Sequence, residues 1–313
     1  MADDRRKPPD LSVRAPAKVN LCLEVLGRRP DGFHEIRTVM QAVSLFDEMD
    51  FRLMPEGRVE LSCPEGDVPT GEGNLIVRAA RLLQRRYAVE QGAAVTLRKR
   101  IPVGGGLGGG SADAAMALLA LRELWGVEAP PGELGGLAAE LGSDVPFFLH
   151  GGAALCEGRG ERVTPLPVRG PMHFVLVMPG VRVSTAAVYS AAGRRLTGQG
   201  PASDNVVEAL REGDVELLGS CLRNDLQEAA FSLCTDLRAI WDLLVEAGRQ
   251  IGARGCLLSG SGSSFLVLVA GAPAAEEAAG ELASRLGVDC AAVQSVSEWA
   301  GRVVPPTTGR GHR

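Results

Sequence analysis

The chain has 313 residues, with 45% hydrophobic side chains, 23% charged side chains and a formal net charge of −5. This composition lies near the globular average and excludes a disordered chain, a collagen-like chain and a coiled coil. The acidic balance gives little attraction to phosphate backbones, so we expect no nucleic-acid partner. No run of 18 apolar residues occurs, so we expect no membrane partner either.

The N-terminus and the cysteines predict the compartment. The first ten residues are charged and contain no apolar segment, which predicts a loose tail and no secretory signal. The seven cysteines are an odd number without any C-x-x-C pair, and the four histidines show no metal-ligand spacing. We therefore predict reduced thiols, no metal site built from these residues, and a cytoplasmic protein.

The first strand is predicted over residues 13–25, where side chains alternate between two faces. Its apolar face carries Val19, Leu21, Leu23 and Val25, and its polar face carries Lys18, Asn20, Cys22 and Glu24. The following pattern predicts strands over 36–45, 49–63 and 93–101, helices over 75–87, 112–125 and 133–141, and a hairpin that begins at 151.

A domain boundary is predicted at residues 165–171, which contain three prolines and a glycine. An N-terminal domain would span 11–165 and a C-terminal domain 166–300, between loose tails at 1–10 and 301–313. The second domain is predicted to contain strands over 172–178, 254–259, 265–269 and 290–296, helices over 185–196, 203–211, 214–221, 235–249 and 274–286, and a glycine-serine loop over 259–264. Strands and helices mixed in this way predict the α+β class.

Six glycines occur in the seven residues from Gly104 to Gly110, between a predicted strand and a predicted helix. A P-loop would need a lysine before Ser111, and none is present. The spacing G-x-G-x-x-G does occur, but no second strand ending in an acid follows about 20 residues later, as a dinucleotide site requires. The favoured interpretation is a loop whose amides, with the N-terminus of the next helix, bind a nucleotide triphosphate. A plain flexible loop is the less favoured alternative.

The segment from Pro102 to Ala112 resembles the phosphate-binding motif of the GHMP kinase superfamily. Four further segments occur in the order typical of that family: APAKVNL at 15–21, DGFHE at 31–35, GSDVPFF at 142–148 and LSGSGS at 258–263. Together they resemble the branch that uses ATP to phosphorylate the 2-hydroxyl of a cytidyl diphosphate sugar-alcohol, on the methylerythritol phosphate route to isoprenoid precursors. The resemblance extends from about residue 13 to residue 297.

This resemblance implies a two-domain GHMP-kinase-like fold with the active site in the cleft between the domains. ATP and Mg²⁺ would be the cofactors, and the partner would be a small molecule. A monomer or a homodimer is expected. The residues that would bind ATP are Pro102, Val103, Gly104, Gly105, Gly106, Leu107, Gly108, Gly109, Gly110, Ser111 and Ala112, with Asn74 near the adenine.

The resemblance also implies the catalytic pair. Asp144 would accept the proton of the substrate hydroxyl, Lys18 would be its cationic partner, and Asn20 would bind the substrate by hydrogen bond. From the residues alone, Asp144 or Ser143 is as well explained as the cap of a following helix, and Lys18 as a solvated side chain.

The substrate side is implied in the same way. His34 would hydrogen-bond the edge of the cytosine while Phe33, which stands where the family has tyrosine, and Tyr189 would stack on its faces. Thr185 would contact the substrate, and the C-terminal glycine loop, with Gly260, Ser261 and Gly262, would close over the phosphate-transfer site. Taken alone, His34 is better explained as a surface histidine near a turn, and the loop can be a tight turn between strands.

Two other functions stay open at this point. Another GHMP kinase, of the homoserine or mevalonate type, would share the glycine-rich motif that begins at Pro102, but it would not explain the sequence at residues 31–34. A non-catalytic nucleotide-binding protein on the same fold would be expected to lack Lys18 or Asp144, and both are present.

Overall fold

The computed structural model describes residues 8–66, 68–130, 132–192 and 202–296. Most of the two predicted tails, the end of the helix predicted at 185–196 and the end of the predicted C-terminal domain lie outside the described residues. Within the part of the chain described, no helix is long and apolar enough to cross a membrane.

The described residues form strands and helices in a mixed order. The strands are β1 (Leu11–Arg28), β2 (His34–Met54), β3 (Val59–Ser62), β4 (Gly92–Arg98), β5 (Ala153–Gly158), β6 (Arg162–Leu166), β7 (His173–Met178), β8 (Arg223–Asn224), β9 (Gly255–Leu258), β10 (Phe265–Val269) and β11 (Asp289–Gln294). The helices are α1 (Leu75–Tyr87), α2 (Gly109–Leu124), α3 (Glu133–Leu141), α4 (Val145–His150), α5 (Thr185–Ala192), α6 (Ala202–Glu212), α7 (Val215–Cys221), α8 (Gln227–Leu233), α9 (Thr235–Gln250) and α10 (Ala272–Leu286). This mixture confirms the predicted α+β class.

The first sheet is organised around the long antiparallel pair of β1 and β2, joined by a turn at residues 29–32. Its order is β3-β4-β2-β1-β8, and β5 pairs with β2 and with β6. The predicted break between strands 36–45 and 49–63 was wrong. Strand β2 runs unbroken to Met54, and it pairs with β5 along its first half and with β4 along its second half.

The second sheet has the order β11-β7-β10-β9 and is antiparallel throughout. A buried core joins it to the first sheet: Val19 and Leu21 of β1 pack in the same cluster as Phe174 of β7 and Leu266 of β10. The predicted boundary at 165–171 lies where the chain passes from the first sheet to the second, and β8 later returns to the first. The division into two domains stays a prediction.

A β-bulge changes the faces of β1. Asn20 pairs with Met40 but Cys22 pairs with Val39, so one extra residue stands on β1 at Leu21. The bulge reverses the alternation, as bulges do, and Leu23 then lines the same cavity as Lys18 and Asn20. The predicted grouping of Leu23 with Val19 on one apolar face was therefore wrong beyond residue 21.

Helix α2 begins three residues earlier than its predicted start at 112. Its N-cap is Gly108, in the left-handed conformation with φ of 71°, and the last two glycines of the run lie in the first turn. The sequence does not predict α8, because its seven residues show too little periodicity. The early start of α2 brings the free amides of a helix N-terminus to the glycine segment.

We predict that Phe174→Ala lowers the free energy of unfolding by roughly 3–5 kcal/mol, the usual loss for a large aromatic side chain removed from a core. Phe174 is fully buried between the two sheets. Urea denaturation measures the change. Leu243→Ala is the control: this leucine is 58% exposed on α9, so its loss should change stability by less than about 0.5 kcal/mol. Equal losses in the two variants would contradict the shared core.

Candidate active site

Lys18 and Asp144 come together although 126 positions in the sequence separate them. Lys18 lies on β1 with 4% of its surface exposed, and its Nζ is 3.8 Å from Oδ2 of Asp144, whose side chain is 30% exposed. Asp144 stands at the N-cap position of α4, but its carboxylate makes no capping hydrogen bond. The geometry therefore does not support the capping alternative, and the carboxylate faces the cavity beside Lys18.

The surroundings of Lys18 determine the pKa of its ammonium group and the orientation of its side chain. Burial lowers the pKa of its ammonium group, and the negative charge of Asp144 opposes that shift. Its Nζ donates to Oδ1 of Asn20 at 2.6 Å, and Nδ2 of Asn20 donates to Oγ1 of Thr38 at 2.8 Å. Both ends of the Asn20 side chain thus have partners, and Asn20 orients Lys18. Direct binding of substrate by Asn20 stays a prediction.

The glycine segment 102–110 packs directly on Lys18. The backbone amide of Lys18 donates to the carbonyl oxygen of Leu107 at 2.9 Å. A Cβ added to Gly108 would lie 2.9 Å from Cγ of Lys18 and 2.9 Å from the ring of Phe148, and its φ is also positive. Glycine is required there on both counts.

The nucleotide pocket, as we name it, is a cavity of about 350 Å³ between the glycine segment and the start of α1. Its wall includes Pro102, Val103, Gly104, Gly105, Gly106, Gly108, Gly109, Gly110, Ser111 and Asn74 from the predicted ATP-binding set. The amides of Gly109, Gly110 and Ser111 belong to the first turn of α2, where backbone N–H groups lack helical partners and attract anions.

Three predicted nucleotide residues have other contacts. Leu107 and Ala112 are buried in the core and do not line the pocket. Asn74 caps α1, since its Oδ1 accepts from the amide of Ile76 at 2.9 Å, and it also stands in the pocket wall. The capping role and the pocket position of Asn74 are compatible.

The C-terminal glycine loop, residues 259–264, lies against the glycine segment. The amide of Ser264 donates to the carbonyl oxygen of Gly105 at 3.0 Å, and the hydroxyl of Ser259 donates to that of Gly106 at 3.1 Å. Nδ2 of Asn224 donates to the carbonyl oxygens of Leu258 and Gly260 and so anchors the loop from β8. The loop thus borders the cavity that contains Lys18.

A second, larger cavity of about 840 Å³, which we call the base pocket, contains the predicted cytosine-binding residues. The rings of His34 and Tyr189 lie with their centroids 5.2 Å apart at an interplanar angle of 30°. Phe33 is half exposed, and the guanidinium of Arg159 lies 4.7 Å from its ring centroid. Two arginines, Arg28 and Arg159, and no carboxylate are among its lining residues.

The protonation state of His34 follows from its surroundings. Burial lowers the pKa of the imidazole, and the positive charge of Arg28 lowers it further. His34 is therefore neutral at neutral pH, with one ring nitrogen as donor and the other as acceptor. This is the state that can match one donor and one acceptor on the edge of a base.

The cavity around Lys18 and Asp144, about 180 Å³, connects the two pockets. It shares Gly104, Gly106 and Gly108 with the nucleotide pocket and Thr185 and Tyr189 with the base pocket. Oγ1 of Thr185 lies 2.8 Å from Oγ of Ser261 at the junction. A phosphoryl donor in one pocket and an acceptor in the other would therefore meet beside Lys18 and Asp144.

Sequence reasoning missed several residues around these pockets. Arg28 and Arg159 carry no motif, and Asn224 acts only through the fold. Lys99 stands in the wall of the nucleotide pocket between two buried carboxylates, those of Asp47 and Asp113. One signal was available for Lys99, because the chain has only three lysines among 33 basic residues and this one lies three positions before Pro102, where the glycine segment begins.

Comparison with known proteins agrees with this geometry. The family models described as GHMP kinases N terminal domain and GHMP kinases C terminal match residues 74–152 and 206–288. A 4-diphosphocytidyl-2-C-methyl-D-erythritol kinase of Pelotomaculum thermopropionicum is 43% identical over 86% of this chain and 92% of its own length. A crystal structure of 4-(cytidine 5'-diphospho)-2C-methyl-D-erythritol kinase superposes with a TM-score of 0.76 at 38% identity, over 91% of this chain and 98% of that one. Homoserine kinase from Cytophaga hutchinsonii, at 22% identity, 96% and 98% coverage and a TM-score of 0.73, shares the fold.

The fold and the arrangement of the two pockets define a small-molecule kinase of the GHMP class. The similarity over nearly the whole length of the P. thermopropionicum relative narrows this further. The chain belongs to the family of 4-diphosphocytidyl-2-C-methyl-D-erythritol kinases.

We predict that Gly110→Val weakens ATP binding without disturbing the fold. Gly110 lies in the pocket wall with its backbone helical, and an added Cβ would meet no atom closer than 4.0 Å. The larger side chain should hold the phosphates away from the amides and raise KM for ATP by about ten-fold or more. Gly135→Val, in α3 and equally free of contacts, is the control. Unchanged KM for ATP in Gly110→Val would exclude this wall as the phosphate site.

We predict that the rings of Phe33 and Tyr189, together with His34, govern base recognition. Tyr189→Ala and Phe33→Ala should each raise KM for the cytidyl substrate by about ten-fold or more, as expected for lost stacking. Phe33→Tyr should be nearly neutral, and His34→Ala should narrow the preference over a uridyl analogue, since the two bases exchange donor for acceptor at one edge. Steady-state kinetics with both analogues measure these effects. If His34→Ala keeps the preference for the cytidyl substrate, and Phe33→Ala and Tyr189→Ala bind it normally, the cytosine does not bind in this pocket.

Proposed function

We propose that this kinase transfers the γ-phosphoryl group of ATP to the 2-hydroxyl of 4-diphosphocytidyl-2-C-methyl-D-erythritol. The observation on which this rests is the position of Lys18 and Asp144 at the junction of the nucleotide pocket and the base pocket. Phosphoryl transfer to an alcohol needs the hydroxyl and the phosphate aligned and the hydroxyl proton accepted, so a carboxylate at such a junction fits the reaction.

The donor side binds ATP through the amides of the glycine segment and of the first turn of α2. Among the described residues no three His, Cys, Asp or Glu side chains are grouped as a metal site. The hydroxyl of Ser111, in the wall of the nucleotide pocket, would contribute a protein donor to Mg²⁺, and phosphate oxygens and water would supply the others. When bound, Mg²⁺ neutralises the charge of the phosphates.

The acceptor side places the cytosine between Phe33 and Tyr189 with His34 at its edge. The diphosphate of the substrate then passes Arg28 and Arg159, whose positive charges suit it. Asp144 accepts the proton of the 2-hydroxyl as the bond from that oxygen to the γ-phosphorus forms. The bond from phosphorus to the β-phosphate oxygen breaks, and ADP leaves with the electron pair. Lys18 stabilises the negative charge that develops on the acceptor oxygen.

The rival functions differ in their acceptors. A homoserine or mevalonate kinase would have no use for a base pocket of about 840 Å³ with paired aromatic rings. A coupled assay of ADP release with the cytidyl substrate, homoserine and mevalonate separates them: we expect turnover with the first alone. A non-catalytic protein would release no ADP with any of the three.

The cellular context is part of the same proposal. All seven cysteines are described, and each is a free thiol, which supports the cytoplasmic location expected from the sequence. A monomer or a homodimer stays a prediction, and size-exclusion chromatography with light scattering would measure it.

We predict that Asp144→Asn lowers kcat by roughly 10²–10⁴-fold, the usual contribution of a general base. Affinity for an ATP analogue and the midpoint of thermal unfolding should stay near those of the wild type, because the carboxylate makes no capping hydrogen bond. The matched control is Asp214→Asn: Asp214 does cap its helix, accepting from the amide of Leu217 at 2.9 Å, and asparagine caps equally well. Near wild-type kcat in Asp144→Asn would return this residue to a structural role.

A further inference from the structure

We propose that Asp47, Lys99 and Asp113 are positioning residues for ATP, a clamp that holds the two ends of the glycine segment at the spacing the phosphates need. This inference rests on the proposed kinase function and assigns a role to three residues outside the catalytic pair. It follows from where the three side chains lie, how deeply they are buried and what their backbone neighbours do.

The clamp connects the entry and the exit of the glycine segment. At the entry, Oδ1 of Asp47 accepts hydrogen bonds from the amides of Arg100 at 2.6 Å and Ile101 at 2.9 Å, directly before Pro102. At the exit, Oδ2 of Asp113 in the first turns of α2 accepts from Nζ of Lys99 at 2.9 Å. The same Nζ also donates to Oδ2 of Asp47. One ammonium group therefore ties both ends to β2.

Because the three charged side chains are buried, they are a poor means of stabilising the fold alone. The exposed fractions of the side chains are 0% for Asp47, 5% for Asp113 and 9% for Lys99. Removing each charge from water is unfavourable, and buried ion pairs are often no more stabilising than apolar residues of the same volume. We therefore expect these three residues to fix the geometry of the glycine segment more than to stabilise the fold.

The clamp forms part of the nucleotide pocket itself. Lys99 and Asp113 both stand in its wall. A Cβ added to Gly109 would lie 3.0 Å from Nζ of Lys99, so the first helical glycine rests on the clamp. Oδ1 of Asp113 is buried without a hydrogen-bond partner among the described residues. Burial raises the pKa of Asp113 to about 7, against the opposing charge of Lys99, and the nearby Asp47 adds to the rise.

The clamp differs from the catalytic pair in one decisive respect. Among the described residues, Lys18 has one carboxylate neighbour, at 3.8 Å, whereas Lys99 has two in direct hydrogen bonds. Burial lowers the pKa of Lys99, but its two carboxylate partners outweigh that effect and raise it. Lys99 is thus a cation held by two carboxylates, and these two hydrogen bonds fix its position between the entry and the exit of the glycine segment.

Asp113→Leu tests the clamp without leaving an unpaired charge, because Lys99 and Asp47 then balance each other. We expect the Kd of a non-hydrolysable ATP analogue with Mg²⁺, measured by calorimetry without the second substrate, to rise about ten-fold or more. KM for ATP should rise in parallel, while KM for the cytidyl substrate changes less than two-fold. Asp113→Asn keeps a weaker hydrogen bond to Lys99 and should limit the rise to about three-fold.

The matched control is Glu24→Gln. Glu24 is 4% exposed and accepts hydrogen bonds from the amide of Ala202 at 2.9 Å and the hydroxyl of Ser203 at 2.7 Å, but it lines none of the three cavities. Its substitution should reduce the midpoint of thermal unfolding without changing the Kd of the ATP analogue.

The outcomes separate this inference from the proposed function. Wild-type protein that binds no ATP analogue would overturn the kinase assignment itself. If the wild type binds the ATP analogue and folded Asp113→Leu binds it with the same Kd, the clamp is refuted and the kinase assignment stands. Equal rises in KM for ATP and for the cytidyl substrate in Asp113→Leu would also refute the clamp. Should Asp113→Leu fail to fold, the intermediate rise in Asp113→Asn decides: about three-fold supports the clamp, and no change refutes it.

Discussion

The close contact between the two glycine-rich turns determines how the rest of the site is built. A Cβ on Gly106 would lie 2.2 Å from the carbonyl oxygen of Ser259, and one on Gly260 would lie 3.2 Å from Nζ of Lys18. Backbone therefore packs on backbone, with Lys18 covered from both sides. Any side chain at these positions would separate the segments and admit water to the lysine. The burial that depresses the pKa of Lys18 depends on this contact.

Two of the three lysines flank the same glycine segment, and their surroundings assign them opposite tasks. Lys18 lies in a cavity with an incompletely paired carboxylate, so its charge is available to a reacting oxygen. Lys99 lies beneath the segment with its hydrogen bonds satisfied by Asp47 and Asp113. A kinase site needs both properties, since charge must be available where bonds change and backbone must be rigid where phosphates bind.

Much of the fold and the site followed from local pattern. Alternation predicted β1, apolar periodicity predicted α1 to within a residue, and the motifs predicted many of the residues that line the two pockets, although not Arg28, Arg159 or Lys99. The bulge at Leu21 did not follow, because strict alternation continues through it in the sequence and only the pairing with β2 reveals the extra residue. Asp47 and Asn224 were missed for a related reason: each acts on backbone atoms far away in the chain, and no spacing rule records such a contact.

The anchoring of β1 has a consequence for synthesis. The amide of Val25 donates to the carboxylate of Asp225, 200 residues later, and Glu24 holds the start of α6, 178 residues away. At roughly 5–20 residues per second, a ribosome needs on the order of 10–40 s to cover that interval. During this time the emerging strand, which bears Lys18, lacks these two hydrogen-bond partners. A chain released before Asp225 is translated therefore contains Lys18, the glycine segment and Asp144, but not the carboxylate that accepts from the amide of Val25.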